Sequence, residues 1–309
     1  MDIREMRYFA RVAQDGNFSV AASKLDISQP ALSKVIKKME DEVGAPLFHM
    51  FQRRQRLTDV GELLLKKVAR VINEYDGIVE SNEMDKMIYQ GQVYLGIPPI
   101  AGTCYFSEFL AGFSQEYPGI KLRISEEGTE RIRADVSAGL LDVGCVSAPV
   151  SDSLFDHVRF VRDPYCLVVS TRHPLADRTS VRLEELKHEA FILSGEEYAV
   201  SHTIRAACCE VGFEPNVALI SSRWDFIVQL VQQDYGIAIQ PRSLFDRFLF
   251  PGVCVVQLDH PAMEHSLELI TKRNTVVFRS TNCFTSYVMR QISGGGFRTS
   301  FQEPITYIG

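Results

Sequence analysis

The feature that most constrains this chain is a change of hydrophobic period near Gln92. Before it, apolar residues recur mainly three and four apart, as on helices. After it, short apolar runs such as VYLGI (93–97), KLRIS (121–125) and YCLVVS (165–170) alternate with helical stretches. A chain of 309 residues with such a break is long enough for two or three domains. The first part must be a helical unit. The second must be an α/β unit in which strands alternate with helices, the pattern of parallel sheets covered on both faces.

The first 58 residues read as three helices and a hairpin. Ile3, Met6, Phe9, Ala10 and Ala13 form one apolar stripe, and Gly16 ends that helix. Ser19 can cap a second helix, with Ala22 and Leu25 turned inward. Asp26-Ile27 is a tight turn. Ser28 or Gln29 opens a third helix, where Pro30 is tolerated because a first-turn N–H has no partner anyway. Leu32, Val35, Ile36, Met39 and Val43 line its buried side, and Gly44 ends it. The stretch LFHMFQRRQRLT (47–58) reads as two short strands around a basic tip. A short turn between two helices, the second amphipathic, is a helix-turn-helix, whose second helix enters the DNA major groove by its N-terminal residues. Ser28, Gln29, Pro30 and Ser33 stand at that start. Gln29 can pair with adenine N6 and N7, while Lys34, Lys37 and Lys38 suit phosphates or guanine edges. Arg53, Arg54 and Arg56 on the hairpin can reach backbone or the minor groove. The alternative for the lysines is a solvated helix face.

Charge follows the same division. Residues 1–58 hold ten Lys/Arg against seven Asp/Glu, a net +3, and the whole chain is −6, so residues 59–309 carry −9. A basic head on an acidic body places the polyanion partner at the head. Thr58 can cap a long helix running to about Gln90. On it Leu64, Val68, Val71, Tyr75, Ile78 and Asn82 follow a coiled-coil seam. Such a rod, roughly 45 Å for about 30 residues, is expected to pair with a second copy, the alternative being a helix lying on its own domain.

Here the residues meet a family. The stretch RYFARVAQDGNFSVAASKLDISQPALSKVIKKMEDEVGAPLF resembles the winged helix-turn-helix of LysR-type transcriptional regulators, and RLTDVGELLL resembles the entry to their linker helix. The resemblance continues, more loosely, through FLAGFSQEYPGIKLRISEEGTERIRADVSAGLLDVGCV and DYGIAIQPRSL. It implies DNA-binding roles for Gln29, Pro30, Ser33 and Lys34. It also implies a periplasmic-binding-protein-like effector domain of two α/β lobes joined by crossover strands. The expected layout is a DNA-binding domain over 1–58, a linker (dimerisation) helix over 59–90 and an effector domain over 91–309. Lobe I would be 91–162 with 266–309, and lobe II 163–265. Homodimers or homotetramers follow from the resemblance, and RNA polymerase is a candidate partner. The chain departs from the family at Lys34, where arginine is common, and in the hairpin, where Met50 and Gln52 replace the usual arginine and glycine.

In the body, helix starts beside strand ends offer unpaired N–H groups to an anion. Open α/β sheets bind ligands at the carboxyl ends of their strands. The expected effector is therefore a small molecule bearing a carboxylate. Its candidate contacts are Pro98, Ile100, Thr103, Thr129, Ser147, Ser201, His202 and Gln240. Thr129 and Ser201 could instead merely cap helices, His202 could be a surface residue, and Pro98-Pro99 could only shape a turn. Trp224, the single tryptophan, could line the cleft or pack in a core.

Other functions find less in the sequence. No HExxH, Walker loop or GxSxG motif occurs, so no enzyme is expected, and neither metal nor cofactor. His260 and His265 are five apart, one too many for two metal ligands on one helical face. A redox switch would use Cys104, Cys145 or Cys208 in place of a metabolite, and needs an exposed, low-pKa thiol with a resolving partner. The opening MDIREMRY lacks the apolar core of a signal peptide, and no stretch approaches ~18 apolar residues. A cytoplasmic protein without a membrane partner is expected.

Overall fold

The computed structural model describes residues 1–51, 54–80, 90–260, 263–273 and 278–293. It divides into two compact units, Met1–Gly91 and Gln92–Gly309.

The first unit holds helices α1 (Ile3–Asp15), α2 (Phe18–Lys24) and α3 (Gln29–Val43), the antiparallel hairpin β1 (Phe48–Phe51) and β2 (Arg54–Leu57), and helix α4 (Asp59–Glu80). Asp2 and Glu5 cap α1 reciprocally, each side chain accepting from the other's backbone N–H. Gly16 and Gly44 end α1 and α3 with φ of 61° and 78°, the left-handed region that a Cβ disfavours. Asn17, not Ser19, caps α2. Its extended backbone lets Oδ1 accept from the N–H groups of Ser19 (2.8 Å) and Val20 (3.2 Å), whereas Ser19 already lies inside the helix.

One core joins these elements. Phe9, Val12, Ala21, Ala22, Leu32, Ile36, Met39, Leu47 and Val68 are buried together. Phe9 and Phe18 both meet Phe48 edge to face, which fastens the hairpin to the helices. Val12, rather than the expected Ala13, completes the inner face of α1. Thr58 starts α4 as its sequence implies. Its Oγ1 accepts from Gly61 N–H at 3.0 Å and donates to the Pro46 carbonyl at 2.7 Å. The expected seam of α4 then divides. Leu64 and Val68 pack into the head's own core, which thus continues past residue 58, while Val71 and Tyr75 are 45% and 43% exposed. The rest of that seam, Ile78 and Asn82, has no described side chains.

The second unit is built on a mixed sheet in the order β4 (Ile120–Glu126), β3 (Gly91–Ile97), β5 (Val143–Ser147), β12 (Glu264–Lys272), β6 (Phe155–Ser170), β11 (Val253–Asp259) and β7 (Ser180–Arg182), with β10 (Ala238–Pro241) also on β6. Strands β8 (Ala190–Leu193) and β9 (Asn216–Ile220) form a separate parallel pair. β3 and β5 are parallel, as the alternation implies. β12 is antiparallel to both β5 and β6, and β10 and β11 are antiparallel to β6. The cause is β6 itself. YCLVVS is the end of this long strand, not the start of a new one. Residues 155–164 pair with β12, and 165–170 pair with β10 and β11. A chain that crosses on β6 must return on β12, so the two crossover strands run in opposite directions.

Helices cover both faces. Alternate β3 and β5 residues separate two clusters. Leu95 and Cys145 pack with Phe109 of α5 (Ser107–Glu116) and Phe284 of α10 (Arg279–Ser293). Tyr94 and Val146 pack with Ile132 of α6 (Thr129–Ser137). The far end of β6 repeats the device. Tyr165, Leu167 and Val169 face α7 (Ala199–Glu210), and Cys166 and Val168 face α8 (Trp224–Gln232). A short helix α9 (Arg242–Arg247) follows β10. No described helix is long and apolar enough to cross a membrane. The Gly-rich stretch GGGFRTS (294–300) lies outside the described residues.

Candidate functional site

The head presents its site at the start of α3. Ser28 is the N-cap, extended, with Oγ accepting from Ala31 N–H at 3.3 Å. That leaves Gln29 and Pro30 on the first exposed turn. Gln29 Nε2 donates to Ser33 Oγ at 2.8 Å, so the two side chains are held as a pair on one stripe. Lys34 is exposed and enters no ion pair among the described residues. The other two lysines are engaged. Lys37 stands 3.6 Å from Asp41. Lys38 binds Glu5 of α1 at 2.7 Å and lies 3.7 Å from Glu42. That hydrogen bond holds the Glu5 carboxyl below the usual range and the Lys38 ammonium above it. Lys38 therefore ties α1 to α3, a use that sequence spacing does not reveal. Arg56 is exposed on β2 opposite His49. Arg53 lies outside the described residues, as does the side chain of Arg54.

The second unit holds a partly open cavity beside the crossover strands. Pro98, Ile100, Thr129, Ser147 and Gln240 line it, as do Ser194, Tyr198, Val200, Ser222 and Trp224. Thr129 is not a cap: Gly128 is the N-cap of α6, and Thr129 Oγ1 instead accepts from Ser147 N–H at 3.3 Å and lies 3.4 Å from Ser147 Oγ. Behind this pair, the Arg133 guanidinium donates to the Ser147 carbonyl at 3.4 Å and lies 4.0 Å from the Glu130 carboxylate. Three expected contacts lie off the wall. Thr103 turns back to the Pro99 carbonyl of its own helix (3.4 Å). Ser201 is buried inside α7. His202 is exposed, with Nε2 on the Glu196 carbonyl at 2.8 Å.

The residue that sequence reading missed is His265. It lines the cavity, 7% exposed, opposite Asp163 in the β12–β6 register. Its Nδ1 lies 2.8 Å from the Tyr165 hydroxyl, and Tyr105 stacks on it at 6.3 Å between ring centroids. Burial pushes its pKa down to about 4, so the ring is neutral near pH 7. Asp163 accepts from Tyr105 Oη (2.5 Å) and from Ser243 N–H (3.1 Å), and burial raises its carboxyl. No spacing rule brings these residues together. The pairing arises only where two strands distant in sequence meet.

The three cysteines named as redox candidates are buried. Cys104 is buried and pushed up to about 12, Cys208 to about 11, and Cys145 is raised by complete burial. Burial thus favours the protonated thiol over the thiolate in all three. Among the described residues no cluster of three His, Cys, Asp or Glu could hold a metal.

Comparison with known proteins covers both units. Residues 3–62 match the bacterial regulatory helix-turn-helix protein, lysR family, and residues 89–292 match the LysR substrate binding domain. The transcriptional regulator YwbI of Bacillus subtilis is 31% identical over 89% of this chain and 91% of its own length. A probable nitrogen assimilation transcriptional activator of Synechococcus elongatus is 27% identical over 87% of this chain and 88% of its own. The crystal structure of full-length CbnR complexed with its target DNA has a TM-score of 0.69 at 17% identity, covering 94% of this chain and 99% of that one.

Proposed function

The chain belongs to the LysR family of DNA-binding transcriptional regulators, and we propose that a small carboxylate-bearing metabolite, bound in the cavity beside the crossover strands, sets its activity. The observation that carries this reading is the paired hydroxyls of Thr129 and Ser147 on the cavity wall, with the Arg133 guanidinium behind them. Together they supply hydrogen bonds and a positive charge to an anion. The net −9 beyond residue 58 repels anions only at long range, because screening acts over about 8 Å at physiological salt. The ligand shifts the regulator by binding one arrangement of the lobes better than the other, and by no more than that difference.

On the head, the proposed base-reading residues are Gln29 and Ser33, whose side chains are held as a pair at an exposed helix start. Lys34 and Arg56 are the proposed backbone contacts, with Ser28 and Pro30 fixing the entry of α3. Lys37 contributes once released from Asp41. The exposed Val71 and Tyr75 support pairing of two chains along α4. The relatives are transcriptional regulators, and the buried thiols weigh against cysteine chemistry as the signal.

The test is a thermal-shift screen of small carboxylic acids on the full chain, followed by promoter titration with each acid that binds. A ligand that binds the folded protein raises Tm, and the expected result is an acid that also changes promoter affinity or the footprint. An acid that fills the cavity and alters neither refutes the regulatory role.

A further inference from the structure

The polar partners around His265 fix its proton. Tyr165 is buried, and the hydrogen-bond partner described for its hydroxyl is His265 Nδ1 at 2.8 Å. A buried hydroxyl left without an acceptor is costly, so it donates, and Nδ1 accepts. The neutral ring then carries its own proton on Nε2. That atom is buried and has no partner among the described residues, although His265 lines the cavity. A buried donor left unmatched on a residue that lines a cavity can serve as a binding group for an acceptor.

Its position gives the second half of the inference. Ser147 lies opposite Leu267 on β12, which makes it the diagonal neighbour of His265, about 7–8 Å away on the same face of the sheet. One pole of the cavity thus holds two hydroxyls backed by a guanidinium, and the other a neutral N–H donor. Among the described residues no Lys, Arg, Asp or Glu lines the wall. A second carboxylate at the His265 pole would be buried without a counter-charge.

We propose that His265 contacts the ligand, and that the ligand is a small oxo- or hydroxy-monocarboxylic acid. Its carboxylate rests at Thr129 and Ser147, and its second, uncharged oxygen accepts the hydrogen bond from His265 Nε2–H. The proposal rests on the carboxylate reading of the cavity.

The test has two arms on the full chain. The first is NMR of histidine labelled with ¹³C and ¹⁵N, with the His265 signal assigned by its loss in His265→Phe. The ring must be the neutral Nε2–H tautomer. The Nδ1–H tautomer overturns the proposal, whatever the ligand. The second arm titrates matched acids of three to eight carbons, such as levulinate, 4-hydroxypentanoate, pentanoate and glutarate, against Trp224 fluorescence. The oxo and hydroxy acids should bind roughly tenfold more tightly than the plain acid. That preference should vanish in His265→Phe and persist in His265→Gln, which keeps a donor. Equal binding of plain and oxygenated acids leaves the carboxylate reading standing and removes His265 from recognition. Binding by none of the acids removes the carboxylate reading, and the proposal with it.

Discussion

Acid should destabilise this protein through one ring. His265 is buried at the crossover and its pKa falls from 6.5 to about 4. Between those values the unfolded chain binds a proton that the folded chain refuses. The folded-state pKa is depressed, so the stabilisation is present above 6.5 and is lost as pH falls towards 4. The full span of about 2.5 pK units corresponds to about 3 kcal/mol. About 2 kcal/mol of that is lost between pH 7 and pH 5. Asp163, opposite His265, works in the other sense, because its carboxyl is raised by burial. Comparison with His265→Phe, which retains Asp163, Tyr105 and Tyr165, isolates the imidazole. Urea unfolding followed by Trp224 fluorescence at pH 7 and pH 5 measures it. The parent should lose about 2 kcal/mol more than the variant over that interval. A difference that stays flat would refute the claim that the ring is held neutral by burial.

Other consequences follow from particular contacts. Lys34→Ala should lower the slope of log affinity for promoter DNA against log salt by about 0.9. Lys38→Ala, whose ammonium is engaged by Glu5, should leave the slope unchanged and lower Tm; equal slope changes in the two variants would contradict the distinction. Gly128 approaches Glu197 so closely that a Cβ would lie 2.2 Å from its carbonyl oxygen. Gly128→Ala should therefore force these two segments apart and weaken acid binding roughly tenfold, read by Trp224 titration; parent-like affinity would contradict it. Val71→Glu with Tyr75→Glu should lower the molecular mass measured by sedimentation, and an unchanged mass would remove α4 as a pairing surface.

Much of this was legible from local chemistry. The caps at Gly16, Gly44 and Thr58 and the buried stripe Leu32, Ile36, Met39 depend on neighbours within a turn or two, so the sequence displays them directly. Asn17 and Ser19 show the limit of that reading: both can cap, and only the backbone decides. The crossover was hidden because residues 155–164 carry charges and a proline within a strand, where alternation is hard to see. His265 was hidden for a stronger reason. Its partners Tyr165, Asp163 and Tyr105 are a hundred or more residues away; the β6–β12 register brings the first two to it, and the helical segment after β3 brings Tyr105. Lys38 was misleading in the opposite direction. A lysine on a recognition helix suggests a phosphate, and in the free protein its ammonium is paired with Glu5 of another helix. Thr103, Ser201 and His202 stand near helix starts, yet none of them lines the cavity.

The central claim is that the start of α3 reads DNA. Its most direct test is DNase footprinting of the protein's own promoter with a Gln29→Ala, Ser33→Ala, Lys34→Ala triple variant, whose fold is checked by Tm. These three side chains are not buried in the core, so the variant should fold as the parent does and leave no specific footprint. A parental footprint from the folded variant would contradict the account.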